Sequence, residues 1–176
     1  AGDAVSLTGG TATFVDANAG EAKTVTGTGF SLTGADADNY SLASSTLTTL
    51  ADIARRSLTV TAVADSKTYD GTTDSDGQPT ITSGSLAAGD AASWQQTFDA
   101  KDVGTGKTLI PSGAVTDGNG GENYSVSFVV DSSGEITVAA VHGSFTAADK
   151  TYDGTTAATI TGCSLTAADI FAGDAV

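Results

Sequence analysis

The chain has 176 residues with 7 Lys and Arg against 21 Asp and Glu, a formal net charge of −14 at pH 7, 22 Gly, no Met, and one each of Trp, Cys and His. That balance excludes a nucleic-acid partner, because phosphate recognition draws on clustered Lys and Arg, and no apolar run approaches the roughly 20 residues of a membrane-spanning helix. A single Cys builds no disulfide framework, one Cys with one His builds no structural zinc site, and the first residues read as the interior of a domain rather than as a secretion signal.

Alternation of apolar and polar residues runs through the chain, and a 3.6-residue period is absent from most of it. In chain order the pattern predicts strands over 11–15 and 22–32, then a turn at Asn39-Tyr40 that feeds another strand. Next come Leu58, Val60 and Ala62, alternating with Ser57, Thr59 and Thr61. Strands follow over 79–83, 93–98 and 107–115. Tyr124, Val126, Phe128 and Val130 then alternate with Asn123, Ser125 and Ser127, ahead of strands over 135–139, 143–147 and 157–162. Thr and Val dominate these stretches, and β-branched side chains suit a pleated, half-buried surface. Gly, Asn and Asp clusters between them mark turns. Only 85–90 and 164–171 have the composition of a short helical turn. The expected core is Leu58, Val60, Tyr69, Ile81, Leu86, Trp94, Phe98, Tyr124, Val126, Phe128, Ile136 and Val138.

Comparison of the chain with itself gives a period. Lys67-Thr68-Tyr69-Asp70-Gly71-Thr72-Thr73 recurs at 150–156, 83 positions on. Asn39-Tyr40-Ser41 recurs as Asn123-Tyr124-Ser125, and Phe14, Gly20, Lys23 and Thr24 recur as Phe98, Gly104, Lys107 and Thr108, both 84 positions on. Ala-Gly-Asp-Ala begins at Ala1, Ala88 and Ala172. Agreement among independent marks on one spacing is the signature of a tandem array. It predicts the C-terminal part of one unit over 1–55, a complete unit over 56–139 and the N-terminal part of the next over 140–176. The string AGDAV at both 1–5 and 172–176 reads as an excerpt from a longer array. The expected fold is all-β: small β-sandwich-like domains, immunoglobulin-like or β-grasp-like with one short helix, strung into an elongated array.

The two copies of KTYDGTT resemble the signature of YDG-type repeat domains, as does the trailing pattern of AGDAV, Phe, Gly-x-x-Lys-Thr, Asn-Tyr-Ser and Ala-Asp-Ile. Such repeats are known from large secreted bacterial adhesins similar to filamentous haemagglutinin. The resemblance covers nearly the whole chain. It implies an extracellular or cell-surface array of small β-rich domains, and it implies no catalytic residues.

Read residue by residue, the structural motif is Lys67, Tyr69, Asp70 and Gly71 with Lys150, Tyr152, Asp153 and Gly154. The tyrosines are expected to plug a core edge, with their hydroxyls on polar partners. Asp-Gly supplies a turn, Asp bonding nearby backbone and Gly taking a positive φ. Carboxylates crowd two loops. Asp70, Asp74 and Asp76 alternate in one, and Asp117 and Asn119 lie in the other, so both are chemically apt for calcium, the one cofactor these residues suggest. Neither loop has the full twelve-residue calcium pattern. His142 has no companion base or nucleophile, Cys163 reads as a small buried apolar group, and Arg55-Arg56 is the one basic pair, placed to meet carboxylates of an adjoining unit. The functional expectation is a non-enzymatic structural repeat, a stalk, spacer or fibre subunit of a secreted bacterial adhesin or extracellular filament. Its partners are neighbouring repeats joined head to tail, self-assembling into a filament. The alternative is a glycan- or protein-binding adhesion module stabilised by calcium. Because 1–55 and 140–176 look like complementary parts of one unit, strand complementation between neighbours is expected as well.

Overall fold

A computed structural model describes residues 2–174. Ala1, Ala175 and Val176, which belong to the first and last AGDAV strings, lie outside the described residues. The fold is all-β: twelve strands and two 3-10 turns are found among the described residues. Among the described residues no helix is long and apolar enough to cross a membrane. The strands form two compact units that share the chain in alternating stretches.

The first unit holds the residues up to Leu58 with Ser83–Ser93 and Ala114–Ser127. Its main feature is an antiparallel sheet of β1 (Ser6–Phe14), β2 (Gly20–Thr33) and β3 (Thr46–Ile53), in that order. Thr11, Thr13, Thr24, Thr26 and Thr28 line these strands, and Thr is a residue that pleated backbone accommodates well. The sheet is thinly covered, since every residue of β1 is exposed, and so is every residue of β3 except Ile53. A 3-10 turn, Ala37–Asn39, leads from β2 toward β3. Elsewhere in this unit Leu58, Val115 and Tyr124 are buried.

The second unit holds Thr59–Thr82, Trp94–Gly113 and the residues from Phe128 on. The strands in chain order are β4 (Arg56–Thr61), β5 (Ser66–Thr68), β6 (Thr80–Ser83), β7 (Ala91–Phe98), β8 (Gly104–Thr116), β9 (Tyr124–Val129), β10 (Asp131–Thr137), β11 (Gly143–Ala147) and β12 (Ile160–Leu165). Several of them run through both units. They make a four-stranded sheet β5-β10-β8-β7, a three-stranded sheet β6-β4-β9 and a two-stranded sheet β11-β12. β5 joins β10 in parallel, with Lys67 opposite Ile136, whereas β10 and β8 are antiparallel. The core of this unit is Ala62, Phe98, Leu109 and Ile136, with Tyr69 packed on its edge. Each large side chain fully buried here contributes about 1.5–3 kcal/mol. Gln96 is buried as well, and every polar atom it brings is satisfied. Its Nε2 donates to the Val63 carbonyl at 2.8 Å and to Ser75 Oγ at 3.0 Å, and its Oε1 accepts the Val63 N–H at 2.9 Å.

The expected core is found in part. Leu58, Val60, Phe98, Tyr124 and Ile136 are buried, but Val138 is 75% and Phe128 41% exposed. Val138 lies past the end of β10, where pairing has stopped, and Phe128 instead meets the Trp94 ring edge-on at 5.9 Å. Strand β1 begins five residues before the alternation suggests, the strand expected after Asn39-Tyr40 is found as β3, which starts only at Thr46, and β5 occupies the start of the first KTYDGTT. Residues 164–171 do contain a 3-10 turn, Ala167–Asp169, while 85–90 is a hydrogen-bonded turn only.

Candidate functional site

The recurrent heptapeptide folds into a small closed knot. In the first copy Lys67 Nζ donates to Asp70 Oδ1 at 2.9 Å and to the carbonyl and hydroxyl of Thr72, both at 3.0 Å. Asp70 Oδ1 in turn accepts the Thr72 N–H and Oγ1–H, both at 2.9 Å. The second copy repeats this bond for bond. Lys150 Nζ reaches Asp153 Oδ1 at 3.0 Å, the Thr155 carbonyl at 2.9 Å and Thr155 Oγ1 at 3.0 Å, and Asp153 Oδ1 accepts the Thr155 N–H and hydroxyl at 2.9 Å. The turn needs a residue with positive φ between aspartate and threonine, and Gly71 at 79° and Gly154 at 74° supply it. The Lys67 ammonium beside it, with the Thr72 N–H, holds the Asp70 carboxyl down at about 2. Asp153 is lowered too, by the Thr155 N–H first and then by Lys150. Lys67 also sits 5.5 Å from the centre of the Phe98 ring, which ties the knot to the core.

The tyrosine of the motif is treated differently in the two copies. Tyr69 meets Phe171 edge-on at 5.6 Å and donates its hydroxyl to Asp174 at 2.7 Å. Lys101 Nζ donates to both Tyr69 Oη, at 3.0 Å, and Asp174 Oδ1, at 2.7 Å. Lys101 is held above its ordinary pKa chiefly by Asp174, and Asp174 below its own chiefly by Lys101. Tyr152 is 93% exposed, so it does not plug a core edge as Tyr69 does: among the described residues nothing packs over it.

A second regularity joins two strings that the sequence reading treated separately. Tyr40 of the first Asn-Tyr string donates its hydroxyl to Asp3 of the first Ala-Gly-Asp-Ala. Tyr124 of the second donates to Asp90 of the second at 2.5 Å, and its oxygen accepts the Ala87 N–H at 2.8 Å. The facing carboxylate raises the pKa of each of these tyrosines. Each Ala-Gly-Asp-Ala aspartate therefore receives a tyrosine hydroxyl. The signal was available in the constant order of the two strings, but nothing local says that they meet.

The calcium candidates are placed in two loops. Asp117 Oδ1 accepts the N–H groups of Asn119 and Gly121, both at 2.8 Å, and its Oδ2 accepts that of Asn123 at 3.1 Å. Burial pushes its pKa up, and these three N–H groups more than reverse that. Asn119 donates to Asn123 Oδ1 at 3.2 Å, an oxygen that also accepts the Ala19 N–H at 2.7 Å. In the other loop the strand-like backbone at Asp74 bridges to Thr97, and the Asp76 N–H donates to Asp65 at 3.1 Å. Asp65 gathers this loop, taking Ser75 Oγ–H at 2.5 Å and the Gly77 N–H at 3.3 Å as well, a role the sequence did not signal. No three His, Cys, Asp or Glu side chains converge among the described residues. Asp70, Asp74 and Asp76 are thus set by different partners, and Asp70 is tied to Lys67.

The remaining singled-out residues are structural in their contacts. His142 Nδ1 and its N–H both meet Asp169 Oδ2 at 2.8 Å. Cys163 is exposed on β12, not buried, because β11-β12 is a bare pair of strands. Arg55 pairs with Glu122, and Arg56 donates to Ser85 Oγ at 2.9 Å. Clefts in the second unit include two that border residues described above. One, of about 520 Å³, has Tyr69, Asp102, Val103, Val138 and Phe171 among its walls, and the other, of about 440 Å³, runs along β11-β12 past Phe145, Ile160 and Leu165.

The profile of the family described as YDG domain matches residues 1–48 and 54–133, which include the first KTYDGTT copy, both Asn-Tyr strings and two Ala-Gly-Asp-Ala strings. No curated protein and no solved structure matches the chain. With most of its length covered, including the lysine–aspartate–threonine knot and both tyrosine–aspartate pairs described above, the chain belongs to the YDG-domain family.

Proposed function

We propose that the chain is a structural repeat module, a stalk, spacer or fibre subunit of a secreted bacterial surface adhesin or extracellular filament. Its units are small and sandwich-like, and they follow one another head to tail outside the cell. The observation that carries this reading is the use made of the recurrent residues. Lys67, Asp70, Gly71 and Thr72 hold one another, and so do Lys150, Asp153, Gly154 and Thr155. Motif side chains spent on holding a turn suit a part selected for shape. A net charge of −14 suits it too, since like-charged copies repel and stay soluble at high local density. The test is small-angle scattering on a protein carrying several successive repeats, together with protease accessibility on intact cells. The expected result is a maximum dimension that grows by a constant increment per repeat, and cleavage from outside. A compact particle of unchanged dimension would overturn the spacer reading.

The alternative, a glycan- or protein-binding adhesion module stabilised by calcium, is favoured by the cleft beside Tyr69 and Phe171, whose aromatic rings are the kind of surface on which a sugar ring stacks. A glycan array and a melting curve with and without calcium test it. Specific glycan capture lost in Phe171→Ala would support it, and no capture with an unchanged melting temperature would remove it.

A further inference from the structure

Gln96, on β7, is 2% exposed, and its carboxamide is held by partners on both its oxygen and its nitrogen. Oε1 accepts the Val63 N–H at 2.9 Å, while Nε2 donates to the Val63 carbonyl at 2.8 Å and to Ser75 Oγ at 3.0 Å. A Cβ on Gly77 would come within 2.1 Å of Nε2 and 2.9 Å of Cδ, so glycine backbone closes one side of the amide. Ser75 is half-buried, and its hydroxyl has a second neighbour: Oγ–H donates to Asp65 Oδ2 at 2.5 Å. Burial pushes the Asp65 pKa up, and Ser75 with the N–H groups of Gly77, Ser66 and Asp76 more than reverses that. Asp65 is therefore a carboxylate at neutral pH, an acceptor with no proton of its own. The single proton of the Ser75 hydroxyl is committed to Asp65, and the Gln96 N–H falls on its lone pairs.

Three groups of different chemistry thus meet in one row: a carboxylate, a hydroxyl whose proton it holds, and a buried carboxamide whose oxygen lies on a backbone N–H. A base seated on a nucleophile is the first requirement of acyl transfer. A fixed donor at the oxygen that gathers negative charge is the second. The row is confined to one repeat. In the 84-residue register that matches Phe98 to Phe14, Gln96 falls on Ala12. The stretch that brings Ser75, six residues between Thr73 and Thr80, is matched between Thr156 and Thr159 by Ala157 and Ala158 alone. Strand β1 forms with Ala12 in place of the glutamine, and β11 pairs with β12 without the inserted loop. The serine and the glutamine are additions to this fold, not conditions for it.

We infer that Ser75 and Gln96 become joined by an ester bond within the chain. Ser75 Oγ rests against the amide nitrogen, and a shift of its loop carries it onto Cδ of Gln96. The Oγ–Cδ bond forms and the Cδ–Nε2 bond breaks. Asp65 takes the hydroxyl proton and returns it to Nε2, which leaves as ammonia, so no oxidant, reductant or further reactant is consumed. The Val63 N–H bears on Oε1 while that oxygen carries the negative charge of the tetrahedral intermediate, and the Val63 carbonyl holds the departing nitrogen. The reaction occurs once per chain, so it needs no turnover. Its product ties β7 to the loop ahead of β6, between residues 21 apart in sequence. A cross-link of that kind restricts the unfolded chain and so favours the folded one. The inference goes beyond the spacer reading and stands or falls without it.

The test is the intact mass of the 176-residue chain, measured under denaturing conditions after incubation of the folded protein at neutral pH. The expected mass is lower than that of the sequence by one ammonia. Chymotryptic cleavage at Leu86, between the two residues, should leave the peptides that carry Ser75 and Gln96 joined. Mild alkali should then separate them with uptake of one water, leaving a glutamate in place of Gln96. Ser75→Ala and Asp65→Asn are each expected at the full mass of their sequence, with circular dichroism showing that strand content is kept. A wild-type chain at full sequence mass overturns the inference and leaves Gln96 a buried amide that pins a loop. A loss of ammonia that maps to another place, such as Asn119-Gly120, or that survives Ser75→Ala, overturns it as well. A cross-link that forms undiminished in Asp65→Asn overturns the part given to the carboxylate.

Discussion

Residues 67–73 and 150–156 have the same seven amino acids and the same lysine–aspartate–threonine bonds, yet Tyr69 is packed at a core edge and Tyr152 is 93% exposed. The knot spans six positions in each copy, so every donor and acceptor it uses is delivered by local chain geometry. The tyrosine points out of the knot, and its environment is made by residues far away: Phe171 and Asp174 lie about a hundred positions from Tyr69. The comparison separates what the motif folds by itself from what it offers to a partner.

Removing the tyrosine should separate the two copies most. Tyr69→Ala is expected to cost about 2–3 kcal/mol, somewhat below the loss for a wholly buried aromatic, because Tyr69 is only partly covered. Tyr152→Ala should change stability by less than about 0.5 kcal/mol, as surface substitutions do. Urea denaturation of the two variants measures both, and equal losses would mean that Tyr152 has a packed environment after all. The glycines come next. Gly71→Ala and Gly154→Ala each force a side chain into the left-handed region, at about 1–2 kcal/mol. A Cβ at Gly71 would also come within 3.0 Å of Phe171 Cβ, while at Gly154 the space is open, so Gly71→Ala should be the worse of the two in the same denaturation experiment.

The lysines should behave almost alike. Lys67→Ala and Lys150→Ala each remove the bonds that close the knot, about 1 kcal/mol net. Lys67 adds a smaller contribution, about 0.5 kcal/mol, from its position over Phe98. Faster amide exchange at Thr72 and Thr155 in the respective variants is the readout, and an unchanged rate in either would show that its turn holds without the lysine. The smallest effect is with pH. The folded pKa of Asp70 is depressed to about 2 from 3.8, so its contribution to stability is present above about 3.8 and is lost as pH falls through 2. Asp153 shifts in the same direction. Carboxyl chemical shifts followed by NMR between neutral pH and pH 1 should show both titrating below the ordinary aspartate value. A normal midpoint for either would break the claim that the knot is local.

Much of this was legible before the structure. The alternation around Leu58, Val60 and Ala62 and around Tyr124 and Val126 marks real strands, with Leu58, Val60, Ala62 and Tyr124 buried. The Asp-Gly turns are where their residue types put them. Strand β3 was legible only as a strand to follow the Asn39-Tyr40 turn; its bounds were not, because its Thr-rich face is exposed and so lacks the alternation that burial on one side imposes. Nor were the bounds of β5, whose three residues are too few to show a period. Within the candidate site the Asp-Gly pairs take the turn conformation their residue types favour, whereas Tyr152 is exposed where a core plug was expected, and Asp65, Lys101 and Asp174 were not found. Each acts through partners distant in sequence or through a loop it gathers.

By itself the sequence determined the period, the strand-forming composition and the chemistry of the two knots, since all three depend on residues within one strand or one turn of each other. Tertiary structure alone decided which tyrosine is covered and which aspartate each tyrosine hydroxyl meets. Those outcomes depend on what a distant stretch of chain brings against a side chain. Two identical heptapeptides, one with Phe171 and Asp174 against its tyrosine and one without, therefore keep the same local bonds and differ in everything beyond them.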